Sequence, residues 1–183
     1  FTHLDDKDLI VDNYTFISDP SNIPQAFMSR VFPKMRAPYY RPLLTVSFMA
    51  DSILGGTRPF AYHCTNILIH TAVCWLVFIL LLTLGVKKPP ALFFTVFFAV
   101  HPALVQAVAW IPGRNDSLLA LFSLLSFLFF VRYLESRRMR FCLLHLIFLA
   151  LGLFTKETAV VTIVLCGLYA LSIYRPLPTF RQK

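Results

Sequence analysis

The sequence predicts an all-α polytopic membrane protein, with about five transmembrane helices and a first extracytoplasmic loop carrying short juxtamembrane helices. Three observations predict it. Of 183 residues, 57% are hydrophobic and 19 are Phe, and the mean hydropathy is +0.68, well outside the range of an ordinary soluble domain. The run from Ala61 to Leu84 holds 24 residues without a formal charge, enough at 1.5 Å per residue to cross a hydrocarbon core of roughly 30 Å. The basic residues fall in short clusters between apolar runs, the pattern of membrane topology.

A net charge of +8 raises nucleic acid as a partner, but no basic stripe with interleaved aromatics exists, so no nucleic-acid partner is expected. Cys64, Cys74, Cys142 and Cys166 lie in apolar segments without CxxC spacing and read as small core residues. Phe1 opens directly onto Leu4-Asp5-Asp6-Lys7-Asp8 with neither signal peptide nor initiator Met. The expectation is a fragment that lacks a first transmembrane helix and a C-terminal part.

Residues 1–58 carry six acidic and six basic residues and read as a loop with an acidic motif. Ser21, followed by Pro24 and an apolar rhythm through Val31, predicts a capped short helix. Pro42 through Leu54 predicts another, ended by Gly55-Gly56, and both suit a membrane surface. Residues 59–183 form the transmembrane domain, with spans near 61–84, 90–111, 117–133, 141–154 and 158–174. The second should be kinked or broken at His101-Pro102. Thr155-Lys156-Glu157 splits the last long apolar segment into two crossings.

Charge sets the orientation. With connections 85–90, 132–140 and 175–183 cytoplasmic, that side holds nine basic residues: Lys87, Lys88, Arg132, Arg137, Arg138, Arg140, Arg175, Arg181 and Lys183. The opposite short connections hold two, Arg114 and Lys156, a positive-inside bias that places residues 1–58 outside.

Four polar groups then collect on the outer face: Asp5-Asp6, the set His63, Asn66 and His70, the stretch His101 to Asp116, and Lys156-Glu157. Charges at a helix centre cost about 2.5–3.5 kcal/mol each, so they line water or pair with one another. Asp5-Asp6 supplies carboxylates able to deprotonate a hydroxyl or hold a divalent cation, or else is a solvated acidic loop. His63, Asn66 and His70 recur at i, i+3 and i+7 on one face of the first span, either as an interhelical hydrogen-bond seam or to position a ligand phosphate. Trp110 suits the interface. Arg114 either ties to Asp116 or Asp51 or grips a phosphate through its planar fork. Lys156-Glu157 is either a self-neutralising turn or a point charge for a leaving phosphate with its orienting partner.

These residues meet a family pattern. The acidic run Leu4 to Asn13, Tyr40-Arg41-Pro42-Leu43, Tyr62-His63-Cys64-Thr65-Asn66 leading to His70, His101-Pro102, Val105 to Ile111, Gly113-Arg114-Asn115-Asp116 and Thr155-Lys156-Glu157 occur in order along most of the chain. In this the sequence resembles the GT-C membrane glycosyltransferases, most closely the protein O-mannosyltransferase-like branch often fused to tetratricopeptide repeats. The resemblance implies inverting transfer of a sugar, often mannose, from a polyprenyl-phosphate donor to a hydroxyl acceptor on a protein or glycan. Asp5 or Asp6 would be the general base, and Arg114, Lys156 and His101 candidates to stabilise the leaving phosphate. Asp116, Glu157, His63, Asn66 and His70 complete the expected substrate-binding set. A divalent metal is a candidate cofactor, on Asp5, Asp6 or Asp116. Gln106 stands where many relatives carry Glu, and an amide can neither act as a base nor neutralise a metal. No tetratricopeptide period occurs in these residues.

Two other classes compete. A transporter fragment predicts broken helices with charges near the midplane and repeated halves, whereas these polar groups gather at one face. A non-catalytic anchor or assembly protein is the other, and Gln106 keeps it in play. Short loops favour a bacterial inner membrane, with the endoplasmic reticulum as the eukaryotic counterpart, and the active site extracytoplasmic in either.

Overall fold

The structure is a computed structural model and describes residues 5–29 and 39–174. The expected end of the first short helix at Val31 and the connection 175–183 lie outside these residues. Within them the fold is all helical, without strands.

The N-terminal segment folds as consecutive short turns, Lys7–Val11 in a wide π-type turn, then Tyr14–Ile17, Pro20–Asn22 and Ile23–Ala26. Its apolar residues Leu9, Ile10, Ile17 and Ala26 are buried against Leu44, Phe48 and Met49 of helix α1 (Pro42–Gly55) and against Tyr62 and Ile111. This end of the protein thus has its own small core. The cap of the turn at residue 20 is Asp19, not Ser21: the Asp19 carboxylate accepts the Ser21 amide at 2.9 Å. That bond is also the main reason that the Asp19 carboxyl sits below its ordinary range. Asp precedes the Pro that opens the turn, so its carboxylate caps it and Ser21 serves as the donor. α1 ends at Gly56, whose φ of 60° lets its N–H reach back to the Ser52 carbonyl.

Six further helices follow: α2 (Pro59–Thr83), α3 (Lys88–Ala99), α4 (Val105–Ala109), α5 (Arg114–Ser136), α6 (Met139–Thr155) and α7 (Val160–Tyr169), the last continuing as a wider turn over Ala170–Tyr174. Pro42, Pro59, Pro89 and Pro112 all stand in opening turns, where a missing N–H is not needed. α5 packs most extensively on α6, α2 lies against both α3 and α5, and α7 rests on α5.

Two helices are long and apolar enough to cross a membrane, Pro59–Thr83 and the Ile111–Ser136 segment, and the pair Lys88–Ala99 with Pro102–Ala109 makes a third if its 51° bend is one broken span. Met139–Thr155 and Glu157–Ser172 are apolar but shorter. Outward faces carry Phe93, Phe94 and Phe97 on α3 and Val160, Val164 and Leu168 on α7, the side chains that hydrocarbon solvates. Between helices the polar groups pair. Ser126 Oγ lies 2.8 Å from His145 Nδ1 across α5 and α6, and Thr162 donates to Ser123 Oγ at 2.9 Å across α7 and α5.

Gly113 marks the tightest junction. A Cβ there would stand 2.3 Å from the Gln106 carbonyl oxygen and 3.2 Å from Ala107 Cα, both backbone atoms that cannot swing aside. Gly113→Ala should therefore cost about 1–3 kcal/mol of stability, as overpacking does. A thermal melt of the purified protein checks this, and an unchanged midpoint would mean that α4 can retreat from α5.

Candidate active site

One end of the helix bundle gathers the polar residues, and its centre is Arg114. The turn Ile111–Gly113 delivers the first residue of α5 into the gap between α1 and α2. There its guanidinium is fully buried and paired at 2.5 Å with the buried Asp51 of α1. Arg114 Nε donates to Asn66 Oδ1 at 2.6 Å. Nη2 donates to the Tyr62 carbonyl at 2.8 Å, and Nη1 to the Ser47 carbonyl and hydroxyl at 3.3 and 3.2 Å. The Phe48 ring lies 5.0 Å from its central carbon. Each of the three nitrogens of the fork thus has a protein acceptor. Of the alternatives open to the sequence, this geometry is that of the tie to Asp51.

Asn66 extends the tie, donating its amide to the Val108 and Trp110 carbonyls at 3.1 and 3.3 Å. His70, one turn further along α2, bonds the Ala99 carbonyl through Nε2 at 3.0 Å. Both residues hold the broken α3–α4 segment against α2, which is the seam arrangement. His63 is half-buried on the same helix. His101 Nδ1 accepts the Ala103 amide at 3.2 Å, capping the turn that leads into α4. His70 and His101 border a separate cavity of about 230 Å³ among Val100, Leu104 and Val108.

A different set converges beside the tie. A cavity of about 250 Å³ is lined by Asp5 and Leu9 of the N-terminal segment, Tyr39, Arg41 and Leu44 at the start of α1, Trp110, Pro112, Asn115 and Asp116 around the start of α5, and Lys156 from the α6–α7 junction. Four stretches of chain thus meet, two carboxylates and two cations among them. Lys156 Nζ donates to Asp116 Oδ1. Arg41 Nη2 donates to Glu157 Oε1 at 3.3 Å. Lys156 and Glu157 therefore each pair with a distant residue and do not form a self-neutralising turn. The extended backbone of Lys156 (φ −159°, ψ 140°) sends the two adjacent side chains to different partners. Asp6 is buried, 2% exposed, at the head of the Lys7–Val11 turn, while Asp5 faces the cavity. Among the described residues no three His, Cys, Asp or Glu side chains come together as a metal site, so Asp5, Asp6 and Asp116 do not by themselves form one.

The family model for dolichyl-phosphate-mannose–protein mannosyltransferases matches residues 49–180. The chain belongs to this family. It is 36% identical to the protein O-mannosyl-transferase Tmtc1 of Drosophila melanogaster over 129 residues, 70% of this chain and 15% of the relative. It is 34% identical to mouse protein O-mannosyl-transferase TMTC1 over 146 residues, 72% of this chain and 15% of the relative. It is 38% identical to human protein O-mannosyl-transferase TMTC2 over 98 residues, 54% of this chain and 12% of the relative. The matches thus cover about 15% of the length of the first two relatives. No solved structure matches the chain.

For this mannosyltransferase-family chain, the sequence motifs named Asp5, Asp116 and Lys156 as site candidates but not Arg41, which entered only within Tyr40-Arg41-Pro42-Leu43. The available signal was its position: a cation directly before the Pro that opens α1 is fixed at the helix start and presented to whatever lies above it. Arg41 also stacks on Tyr39, 4.6 Å from the ring centre.

Glu157 adds a pH dependence. A hydrogen bond from its own backbone amide, and secondarily the charge of Arg41, hold its carboxyl below the ordinary glutamate range. A carboxyl lowered in the folded state contributes stability above its unfolded value, ~4.3, and loses it as pH falls through the lowered folded value. The difference in melting midpoint between the parent and Glu157→Gln should be constant from neutral pH to about 5 and shrink below about 4. A difference independent of pH would show that the carboxylate charge is not what is being removed.

Proposed function

We propose that the chain supplies the acceptor-activating and phosphate-holding side of a membrane mannosyltransferase that takes mannose from a polyprenyl-phosphate carrier and gives it, with inversion, to a hydroxyl acceptor on a protein or glycan. The observation that carries this reading is the cavity that brings together Asp5, Asp116, Lys156 and Arg41 at one end of the helices. The family match and the names of the relatives support the sugar and the transfer.

In this reading Asp5 takes the proton of the acceptor hydroxyl as its oxygen bonds to the anomeric carbon from the face opposite the phosphate. The bond from the anomeric carbon to the phosphate oxygen breaks, and its electron pair leaves with the carrier phosphate. Negative charge then grows on that oxygen beside Lys156 and Arg41, where fixed cations stabilise it most. Asp6, buried behind Asp5, positions the turn. Arg114, Asp51 and Asn66 hold α1, α2 and α5 in register beneath the cavity. The positive-inside bias supports an extracytoplasmic site. The relatives cited are animal proteins, which supports the endoplasmic reticulum over the bacterial inner membrane.

The test is transfer of radiolabelled mannose from polyprenyl-phosphate mannose to protein acceptor in membranes expressing the full-length protein, with GDP-mannose as a parallel donor. Transfer from the lipid-linked donor that exceeds control membranes is expected. Transfer from GDP-mannose alone, after endogenous lipid-linked mannose synthesis is blocked, would contradict the lipid-phosphate donor. Transfer from neither would favour a non-catalytic anchor.

A further inference from the structure

The wall of the cavity contributed by the α4–α5 junction holds two buried polar atoms without a hydrogen-bond partner in the protein, Trp110 Nε1 and Asn115 Oδ1. Buried polar atoms are normally bonded, and leaving one orphaned is costly. Loose packing does not account for them, because they stand on a firmly fastened stretch of chain. The Trp110 carbonyl accepts the Asn66 amide at 3.3 Å and the Gly113 amide at 3.0 Å. Gly113 lies so close to the Gln106 carbonyl that no Cβ fits between them. Arg114, beside Asn115, is locked to α1 and α2 by its buried fork. A fixed backbone therefore presents both atoms, as a preformed binding wall requires.

The two atoms differ in what they ask of a ligand. The Trp110 indole only donates, whereas the Asn115 oxygen accepts. An ionised phosphate oxygen, which only accepts, suits the first and not the second. A hydroxyl both donates and accepts, so neighbouring hydroxyls on one ligand suit both atoms, and still do if the Asn115 amide is turned about. The lining beside them is uncharged, with Leu9, Tyr39, Leu44 and Pro112. Apolar surface with a few placed polar groups fits a hexose, whose ring has C–H faces and hydroxyl edges. At about 250 Å³ the cavity is also smaller than the roughly 300–1,000 Å³ of sites for larger ligands, which favours one sugar ring over a stretch of polypeptide.

We infer that Trp110 and Asn115 form the subsite that reads the hydroxyls of the sugar on the carrier, and that they help to set which sugar is transferred. The inference rests on the lipid-linked donor proposed above and deepens it. The charged lining residues serve the phosphate and the proton, and this uncharged wall serves the sugar. A wall built to bond a hydroxyl discriminates strongly against a ligand that lacks it, because its own polar groups are then left unpaired.

The experiment uses the purified full-length protein in nanodiscs. Native mass spectrometry measures binding of polyprenyl-phosphate mannose beside sugar-free polyprenyl phosphate and polyprenol of equal chain length. The parent should hold the mannose-bearing form more tightly than the sugar-free form. Trp110→Phe keeps an aromatic ring and removes the N–H, and Asn115→Leu keeps the shape and removes both polar ends. Each should weaken the mannose-bearing form by about 5- to 100-fold, the range for a buried hydrogen bond left unmade, with sugar-free polyprenyl phosphate bound as in the parent. Both variants should melt at or above the parent's midpoint, since each removes a buried atom that the protein leaves unpaired. A purely structural role would lower it. Variants that keep the parent's preference for the mannose-bearing form would overturn the inference and leave both atoms to solvent. Equal weakening of the two phosphate forms would overturn it as well, making the wall a matter of shape. A parent that holds the sugar-free form as tightly as the mannose-bearing one would overturn it while leaving the lipid-phosphate donor standing. A parent that binds polyprenol as tightly as both phosphate forms would defeat the donor assignment and this inference together.

Discussion

Asp5→Asn is expected to lower mannosyl transfer by about 10²- to 10⁴-fold, the contribution of a positioned general base. Asparagine matches aspartate in shape and keeps the turn at the head of Lys7–Val11, but it cannot take a proton from the acceptor hydroxyl. Because Asp5 lines the cavity and is only partly buried, the variant should express and melt like the parent. The fall should lie in kcat, since in the proposed reading Arg41 and Lys156, not Asp5, hold the donor phosphate. Asp6→Asn gives the contrast. Asp6 is buried at the start of a turn whose Leu9 and Ile10 are part of the core, and a carboxylate at a helix start is favoured by the backbone dipole. Its substitution should lower the melting midpoint first and activity only in proportion. Equal loss of kcat with unchanged melting in Asp6→Asn and full activity in Asp5→Asn would reverse the assignment.

The largest stability loss should come from Arg114→Met. Removing the guanidinium leaves Asp51 buried without its cation, and breaking a buried pair from one side costs about 3–5 kcal/mol. The same substitution releases Asn66 Oδ1, the Tyr62 carbonyl and Ser47, so α1, α2 and α5 lose their common fastening. In cells this predicts loss of most of the folded protein. Arg114→Lys should rescue little, because one ammonium cannot serve all of the acceptors that the fork reaches on α1 and α2. Arg114→Met with Asp51→Leu should recover part of the stability, since replacing both members removes the orphaned charge. A single Arg114→Met protein that melts like the parent yet fails to bind donor would instead make Arg114 a ligand-binding residue.

The bundle was legible in the sequence to the extent that its signals were local. Uncharged length gave α2 and α5, and His101-Pro102 marked the break between α3 and α4, where the 51° bend occurs. Gly55-Gly56 marked the end of α1 through the positive φ that only the second of them adopts. The cap at Asp19 was misplaced by two residues because Ser21 and Asp19 are both good caps and only the chain path decides between them.

Pairings were the less legible part, because each ionic partner is remote in sequence. Arg114 had Asp51 and Asp116 as rivals. Asp116, two residues on, is nearer in sequence, yet the helix turns it away from Arg114 and leaves it to Lys156. Lys156 and Glu157 looked self-sufficient as neighbours, but adjacent residues on an extended backbone face opposite ways. Arg41 was overlooked for the same reason: its partner Glu157 is 116 residues away, and nothing beside it in sequence announces a cavity. The acidic pair was found by residue type, while the difference between Asp5 and Asp6 depends on which of them the turn buries.

The measurement that tests the central claim most directly is photocrosslinking of the full-length protein in its membrane with polyprenyl-phosphate mannose bearing a diazirine on the sugar, mapped by peptide mass spectrometry. The account predicts adducts on residues around the cavity, such as Tyr39, Leu44 and Pro112, that are suppressed by unlabelled donor. Competed adducts confined to the cavity beside His70 and His101, with none near Asp5, would contradict it.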